Sequence, residues 1–177
     1  FTFKKMHIQG PIADIDKLNW FNSQWIRKLP PEDILKRLEK FTPKELTKEK
    51  LKKIWPLISQ RIEHLSQVKD LVSYFITQPE LYPKEILKES KMDNQQTKEY
   101  LNKVEAVIKN IKTWNLESIK TALHQLQQQE NLKPRPAFMT LRIAITGRAF
   151  TPPLFDVLEV IGQETVINRL KHAQKII

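Results

Sequence analysis

Two arginines stand on either side of a glycine in the stretch LRIAITGRAFTPPLFDVLEVIG, Leu141 to Gly162. An arginine carries five N–H donors in a rigid fork and no acceptor, so Arg142 and Arg148 suit planar acceptors such as phosphates and base edges. Thr151 follows, and a hydroxyl can accept a helix N–H while donating to a ligand. Arg61, in SQRIEHL, is a third arginine close to a break in the apolar pattern. Each has a plainer reading beside this one. Arg142 and Arg148 flank a helix stop, where cations complement the dipole. Thr151 fits a helix N-cap, Leu154 fits a core position, and Arg61 fits a solvated helix face.

Bond-making chemistry finds no comparable seat. Only three glycines occur, far apart, so no glycine-rich phosphate loop can form. His7, His64, His124 and His172 are scattered without ligand partners at helical spacing, there is no cysteine, and no metal site is expected. No Ser-His-Asp arrangement can be argued, and the carboxylates read as first-turn or solvated-face residues. On its residues alone the segment is a binding module. Thirty Lys and Arg against twenty Asp and Glu give a net charge of +10. A surplus of that size points to a polyanionic partner, with a lysine-rich surface serving only solubility as the other reading. The lysines are spread over many segments, unlike a membrane-surface helix, and no apolar run is long enough to span a bilayer. Absence of cysteine suits a reducing compartment. Position 1 is Phe, and the chain reads as a piece of something longer with no targeting segment.

The elements that must hold these residues read as helices throughout. Pro31 with Glu32 and Asp33 marks a helix start whose face is Ile34, Leu35, Leu38 and Phe41. Thr47 caps a helix with the stripe Leu51, Ile54, Trp55, Ile58, Ile62 and Leu65, in which Pro56 should make a kink or a split. Val68, Leu71, Val72 and Phe75 form another face. TQPELYP (Thr77 to Pro83) reads as a loop and ESKMDNQQ as polar and exposed, with a subdomain boundary in this region. Further helices carry Leu101, Val104, Val107, Ile108 and Ile111, then Leu116, Ile119, Leu123 and Leu126 behind an Asn115 cap. The two prolines of NLKPRP (Asn131 to Pro136) predict a linker. Thr140 to Thr146 alternates like a strand and also repeats like a helix. Helix is favoured, because Gly147 stands where a C-terminal cap is wanted. Thr151 then caps a helix with Pro152 in its first turn and Leu154, Phe155, Leu158 and Ile161 buried. Gly162 ends it, and Val166, Ile167 and Leu170 mark the last helix. The expected fold is all-α, with two packed helical subdomains.

Two stretches carry a family resemblance. DIDKLNWFNSQWIR (Asp14 to Arg27) resembles the Asp-x-x-Lys-Leu-x-Trp-x-Asn-x-x-Tyr-Ile-Arg segment of bacterial-type glutamyl-tRNA synthetases. LRIAITGRAFTPPLFDVLEVIGQETVINRL resembles the Leu-Arg-x-Ala-Leu-Thr-Gly…Thr/Ser-Pro…Leu-Phe…Leu-Gly stretch of the same enzymes, in matching order and separation. The middle of the chain matches in helical pattern. Ala13 stands where the family commonly has Phe, and Trp25 replaces Tyr; both swaps concern packing. The class I signatures that bind and activate ATP, His-Ile-Gly-His-like and Lys-Met-Ser-Lys-like, are absent.

The resemblance implies the tRNA-binding part of a glutamate–tRNA ligase: residues 1–30 as the end of a stem-contact region, 31–80 and 81–177 as two anticodon-binding helical bundles. It implies Arg142, Thr151 and Leu154 at the first two anticodon bases and Arg61 at the third. Arg148, Lys17 and Arg27 become candidates for the RNA backbone. The implied partner is the glutamate tRNA, with no DNA and no membrane, and the chain is expected to be a monomer. ATP with Mg²⁺ belongs to the parent enzyme and no cofactor to this segment. The setting is bacterial cytoplasm or an organelle. A helical protein–protein adaptor and an RNA-binding synthetase paralogue without aminoacylation activity are the other readings.

Overall fold

The computed structural model describes residues 14–177. Expectations falling on residues 1–13, including His7, Ala13 and the start of segment 1–30, lie outside the described residues. Those residues form ten α-helices and no strand: α1 Ile15–Lys28, α2 Pro31–Leu38, α3 Lys48–Ile58, α4 Val68–Ile76, α5 Pro83–Ser90, α6 Asn94–Lys109, α7 Leu116–Gln129, α8 Pro134–Thr146, α9 Leu154–Ile161 and α10 Gln163–Ile176. The chain is all-α.

Most helix starts follow from their caps. The Asp14 carboxylate accepts from the Lys17 N–H, the Thr47 hydroxyl from Lys50 N–H and the Asn115 side chain from Ser118 N–H. Pro31 occupies the first position of α2, where its missing N–H is not needed. Prolines also open α8, against the linker expected at Asn131 to Pro136. Pro134 and Pro136 both lie in its first turn, where N–H groups have no intrahelical acceptor to miss. Helix α5 has no counterpart in the sequence reading. It is short, with Ile86 its only fully buried apolar side chain, too little for a period to show. Ser90, read as exposed, is buried, because its hydroxyl shares a polar knot with Thr97 and Met92 where α5 turns into α6.

Pro56 does not split α3. The helix runs on to Ile58, then tightens into a 3-10 turn at Ser59–Arg61. Ile62 is extended, and a second 3-10 turn spans Leu65–Gln67, so the stripe from Leu51 to Leu65 is not one helix. Phe41 lies beyond the end of α2 and is exposed.

The core joins α3 and α4, through Leu51, Ile54, Ile58, Val72 and Phe75, to the last six helices through α9, which packs on both. Helix α10 lies against α6, α8 and α9, and α5 lies against α8. Helix α1 is turned the other way. It buries Ser23 and Ile26 and ties Asn22 to the Glu63 carbonyl, while Leu18, Trp20, Phe21 and Trp25 face outward.

Candidate nucleic-acid interface

Two helix C-termini, those of α4 and α8, come together beside the loops that follow them. Gly147 ends α8 at φ +67°, in the left-handed region that glycine occupies at no steric cost. It must also be glycine for space. A β-carbon there would sit 2.7 Å from the Glu80 carbonyl oxygen and 3.0 Å from Pro79 Cβ. The TQPELYP loop thus lies directly on the α8 stop.

Helix ends that converge bring unsatisfied carbonyls and the negative poles of two dipoles into one place. Cations answer them. The Arg169 guanidinium donates to the Tyr74 carbonyl at 2.6 Å, the Ile145 carbonyl at 2.9 Å and the Thr77 carbonyl at 2.8 Å. Lys50 Nζ donates to the Phe75 carbonyl at 2.9 Å. Burial lowers the pKa of Lys50, and Arg169 nearby lowers it further.

Beside this joint lies the Thr-Pro-Pro loop. Thr151 does not cap a helix, contrary to the sequence reading. A residue before proline is held out of the helical region, so Pro152 restrains Thr151 and Pro153 restrains Pro152. Helix α9 begins only at Leu154, with Pro153 as its N-cap. Nor is the loop an exposed helix start open to a phosphate, because Thr151 and Pro152 are both buried. The freed carbonyls turn to arginine. Arg142 Nη1 donates to the Pro152 carbonyl at 2.8 Å, to the Thr151 carbonyl at 3.3 Å and to the Thr151 hydroxyl. Arg61 Nη2, from the 3-10 turn after α3, donates to the same Thr151 carbonyl at 2.9 Å. Arg61 is exposed, as its plainer reading as a solvated-face cation expects, yet its guanidinium and that of Arg142 both reach this loop. Burial lowers the Arg142 pKa, and the like charge of Arg61 adds to that.

Arg148 closes the third side. Its Nη2 donates to Ser73 Oγ at 3.2 Å and its guanidinium stands 5.5 Å from the Tyr74 ring centre. Between them a cleft of roughly 260 Å³ runs along Ser73, Tyr74, Glu80, Thr146 and Arg148. The Tyr74 hydroxyl is buried without a hydrogen-bond partner among the described residues. Burial pushes its pKa up to about 12, against the opposing pull of Arg148, Arg61 and Arg142.

Of the residues singled out in the sequence, then, Arg61, Arg142 and Thr151 meet at one carbonyl, and Arg148 stands nearby over Tyr74. Leu154 is 4% exposed, so it forms part of the floor. Lys17 is exposed on α1, and Arg27, on the same helix, donates to Ser23 Oγ at 2.6 Å; neither joins the hydrogen-bonded cluster. Tyr74 and Arg169 were not singled out. For Arg169 a signal existed: Val166, Arg169, Leu170 and Ala173 share the buried stripe of α10, and a cation on an apolar stripe has a partner to explain. His124 packs edge-on to Phe138 with centroids 4.9 Å apart. Among the described residues, no group of three or more His, Asp or Glu could hold a metal ion. No helix there is long and apolar enough to cross a membrane.

What the site offers is donors. Two guanidinium groups, those of Arg61 and Arg142, are held on the carbonyls of the Thr-Pro-Pro loop, and a third, that of Arg148, is held nearby by Ser73. Such an array recognises acceptor-rich planar groups and anionic oxygens.

Residues 32–174 match the sequence profile of the family described as Anticodon binding domain. The chain is 32% identical to the glutamate–tRNA ligase of Herpetosiphon aurantiacus, over 98% of this chain and 37% of that protein. It is 29% identical to the glutamate–tRNA ligase of Pseudomonas fluorescens, over 98% of this chain and 34% of that protein. The crystal structure of a glutamate tRNA ligase from Elizabethkingia meningosepticum in complex with its amino acid superposes with a TM-score of 0.86. The sequences are 25% identical, and the match covers 99% of this chain and 35% of that one. The chain therefore spans little more than a third of the length of the relatives it matches.

Proposed function

This chain belongs to the anticodon binding domain family, and on that footing we propose that it is the anticodon-reading part of a glutamate–tRNA ligase. The observation that carries the reading is the convergence of Arg61 and Arg142 on the Thr151 carbonyl, at 2.9 and 3.3 Å, from segments 81 positions apart in the chain (142 less 61). Sequence-specific RNA reading acts on unstacked loop bases through their exposed edges, and it needs donors held in a fixed array.

In this proposal Arg142, braced by Thr151 over the Leu154 floor, meets the first two anticodon bases, and Arg61 meets the third. Glutamate anticodons end in C and glutamine anticodons in G. The pairing edge of C offers neighbouring acceptors, O2 and N3, to a guanidinium fork. The same edge of G sets N1–H and N2–H donors against it, so arginine discriminates by repulsion as well as attraction. Arg148, Lys17 and Arg27 would neutralise phosphates. Segments 1–30, 31–80 and 81–177 serve as the end of the stem-contact region and the two bundles. ATP with Mg²⁺ belongs, in this proposal, to the parent enzyme, because the class I signatures that bind and activate ATP are absent from this sequence. The full-length protein would attach glutamate to its tRNA in bacterial cytoplasm or in an organelle, as a monomer.

The test is binding of an RNA hairpin bearing the glutamate anticodon loop. Affinity should fall with salt, with a slope of log K on log salt of about −0.7 per phosphate neutralised. Changing the third anticodon base from C to G should weaken binding by roughly 5- to 150-fold, the equivalent of one bidentate contact. Arg61→Gln should bring the two hairpins toward parity. Binding that ignores both salt and the third base would instead favour a helical adaptor.

A further inference from the structure

We infer that Arg169 is a positioning residue for base reading: it locks the ends of α4 and α8 together and so sets Arg61 against Arg142. The inference rests on the anticodon-reading proposal above. Arg61 belongs to the turn after α3, within the first four helices, whereas Arg142 and Thr151 belong to α8 and the loop after it. Discrimination at the third base together with the first two requires these pieces to hold a fixed spacing.

Arg169 is placed to fix it. It is 1% exposed, rises from the buried stripe of α10, and has no carboxylate partner among the described residues. Its one fork spans both sides of the joint, taking Tyr74 and Thr77 at the end of α4 and Ile145 in the last turn of α8. One residue before Tyr74 lies Ser73, which holds Arg148. Three residues before Ile145 lies Arg142 itself. Arg61 follows directly on α3, which packs on α4, so a displacement of the α4 end against the α8 end moves Arg61 relative to Arg142. Burying a guanidinium without a counter-charge is costly, and its Nε has no partner among the described residues. Packing alone could be achieved at that position by Leu or Met, as it is at Leu170. A planar fork reaching three carbonyls from two helices supplies geometry that a hydrophobic side chain cannot.

The experiment compares the 177-residue chain with its Arg169→Lys and Arg169→Met variants. Each is measured for thermal unfolding and for affinity to two hairpins, one with the glutamate anticodon and one with its third base changed from C to G. Lysine keeps the charge but lacks the planar fork, and methionine keeps the packing, so a folding failure in one leaves the other to decide. Binding is read well below either melting temperature. The ratio of the two affinities should fall by at least about threefold in both variants, even where the fraction folded is unchanged. The effect of Arg61→Gln on the ratio should shrink in the Arg169→Lys background, because the two residues act through one geometry. A lowered melting temperature with an unchanged ratio and additive effects would make Arg169 a plain stabilising residue and overturn the inference. If the unmodified chain already treats both hairpins alike, the anticodon-reading proposal itself fails, and this inference with it.

Discussion

Arg142→Met separates the two duties of that side chain. The substitution keeps a long apolar stem and removes every donor. Three contacts to Thr151 and Pro152 disappear, all from one nitrogen that carries only two hydrogens. Each carbonyl keeps a second donor: Arg61 on the Thr151 oxygen and the Thr151 hydroxyl, at 3.0 Å, on the Pro152 oxygen. Removing the Arg142 Nε, buried without a partner among the described residues, also relieves a burial cost. The loss is therefore near one charged hydrogen bond less that relief, about 1–2 kcal/mol. At roughly 2–4 °C per kcal/mol for a chain of this size, the melting temperature should drop by about 2–8 °C by calorimetry. Amide exchange should quicken in residues 147–153 and stay unchanged in α6 and α7. Affinity for the anticodon hairpin should fall further than stability does, by roughly 5- to 150-fold. A variant that loses the stability but binds the hairpin as before would reduce Arg142 to a loop strut and refute its reading role.

Three other outcomes are expected. Tyr74→Phe should be neutral or stabilising near pH 7, since it removes a buried hydroxyl that has no partner among the described residues. The raised pKa means the folded state holds the phenolic proton after the unfolded chain has lost it, from about pH 10 to about 12. Stability of the parent chain should therefore decline through that window, relative to Tyr74→Phe, by about 1.4 kcal/mol per pH unit in urea titrations; parallel curves would show that the hydroxyl is solvated. Gly147→Ala should cost about 2–4 kcal/mol through its φ of +67° and the 2.7 Å approach of the Glu80 oxygen; an unchanged melting temperature would contradict this. Asn115→Ala should lose about 1 kcal/mol with α7 otherwise intact, as read by denaturant melts, because only the Ser118 N–H loses its acceptor.

Much of the fold was legible because local rules decided it. Thr47, Asn115, Pro31 and Gly147 each stand where a helix boundary demands that residue type, and no distant contact needed to be known. The sequence reading went astray where prolines carry two possible meanings. At Pro134 and Pro136 a first-turn position looks the same on paper as a broken helix. At Thr151 a plausible cap is overruled by the two prolines that follow it. The site was legible in its members and not in its wiring. Arg61, Arg142 and Thr151 could be nominated, but that Arg61 and Arg142 share an oxygen depends on how α9 packs on α3 and α4, which periodicity does not encode. Tyr74 was hidden because its hydroxyl matters only through arginines distant in sequence.

The acceptors of Arg169 have an asymmetric inheritance. All three are main-chain oxygens, and every amino acid supplies one. Substitution at positions 74, 77 or 145 cannot delete them, however the side chains drift. No compensating exchange can arise there either, as it can in an ion pair whose two charges swap. The joint between the two helix ends is thus encoded one-sidedly, in a single codon. In an alignment of relatives it should appear as an invariant position with no covarying partner, and methods that infer contacts from paired changes should pass over it.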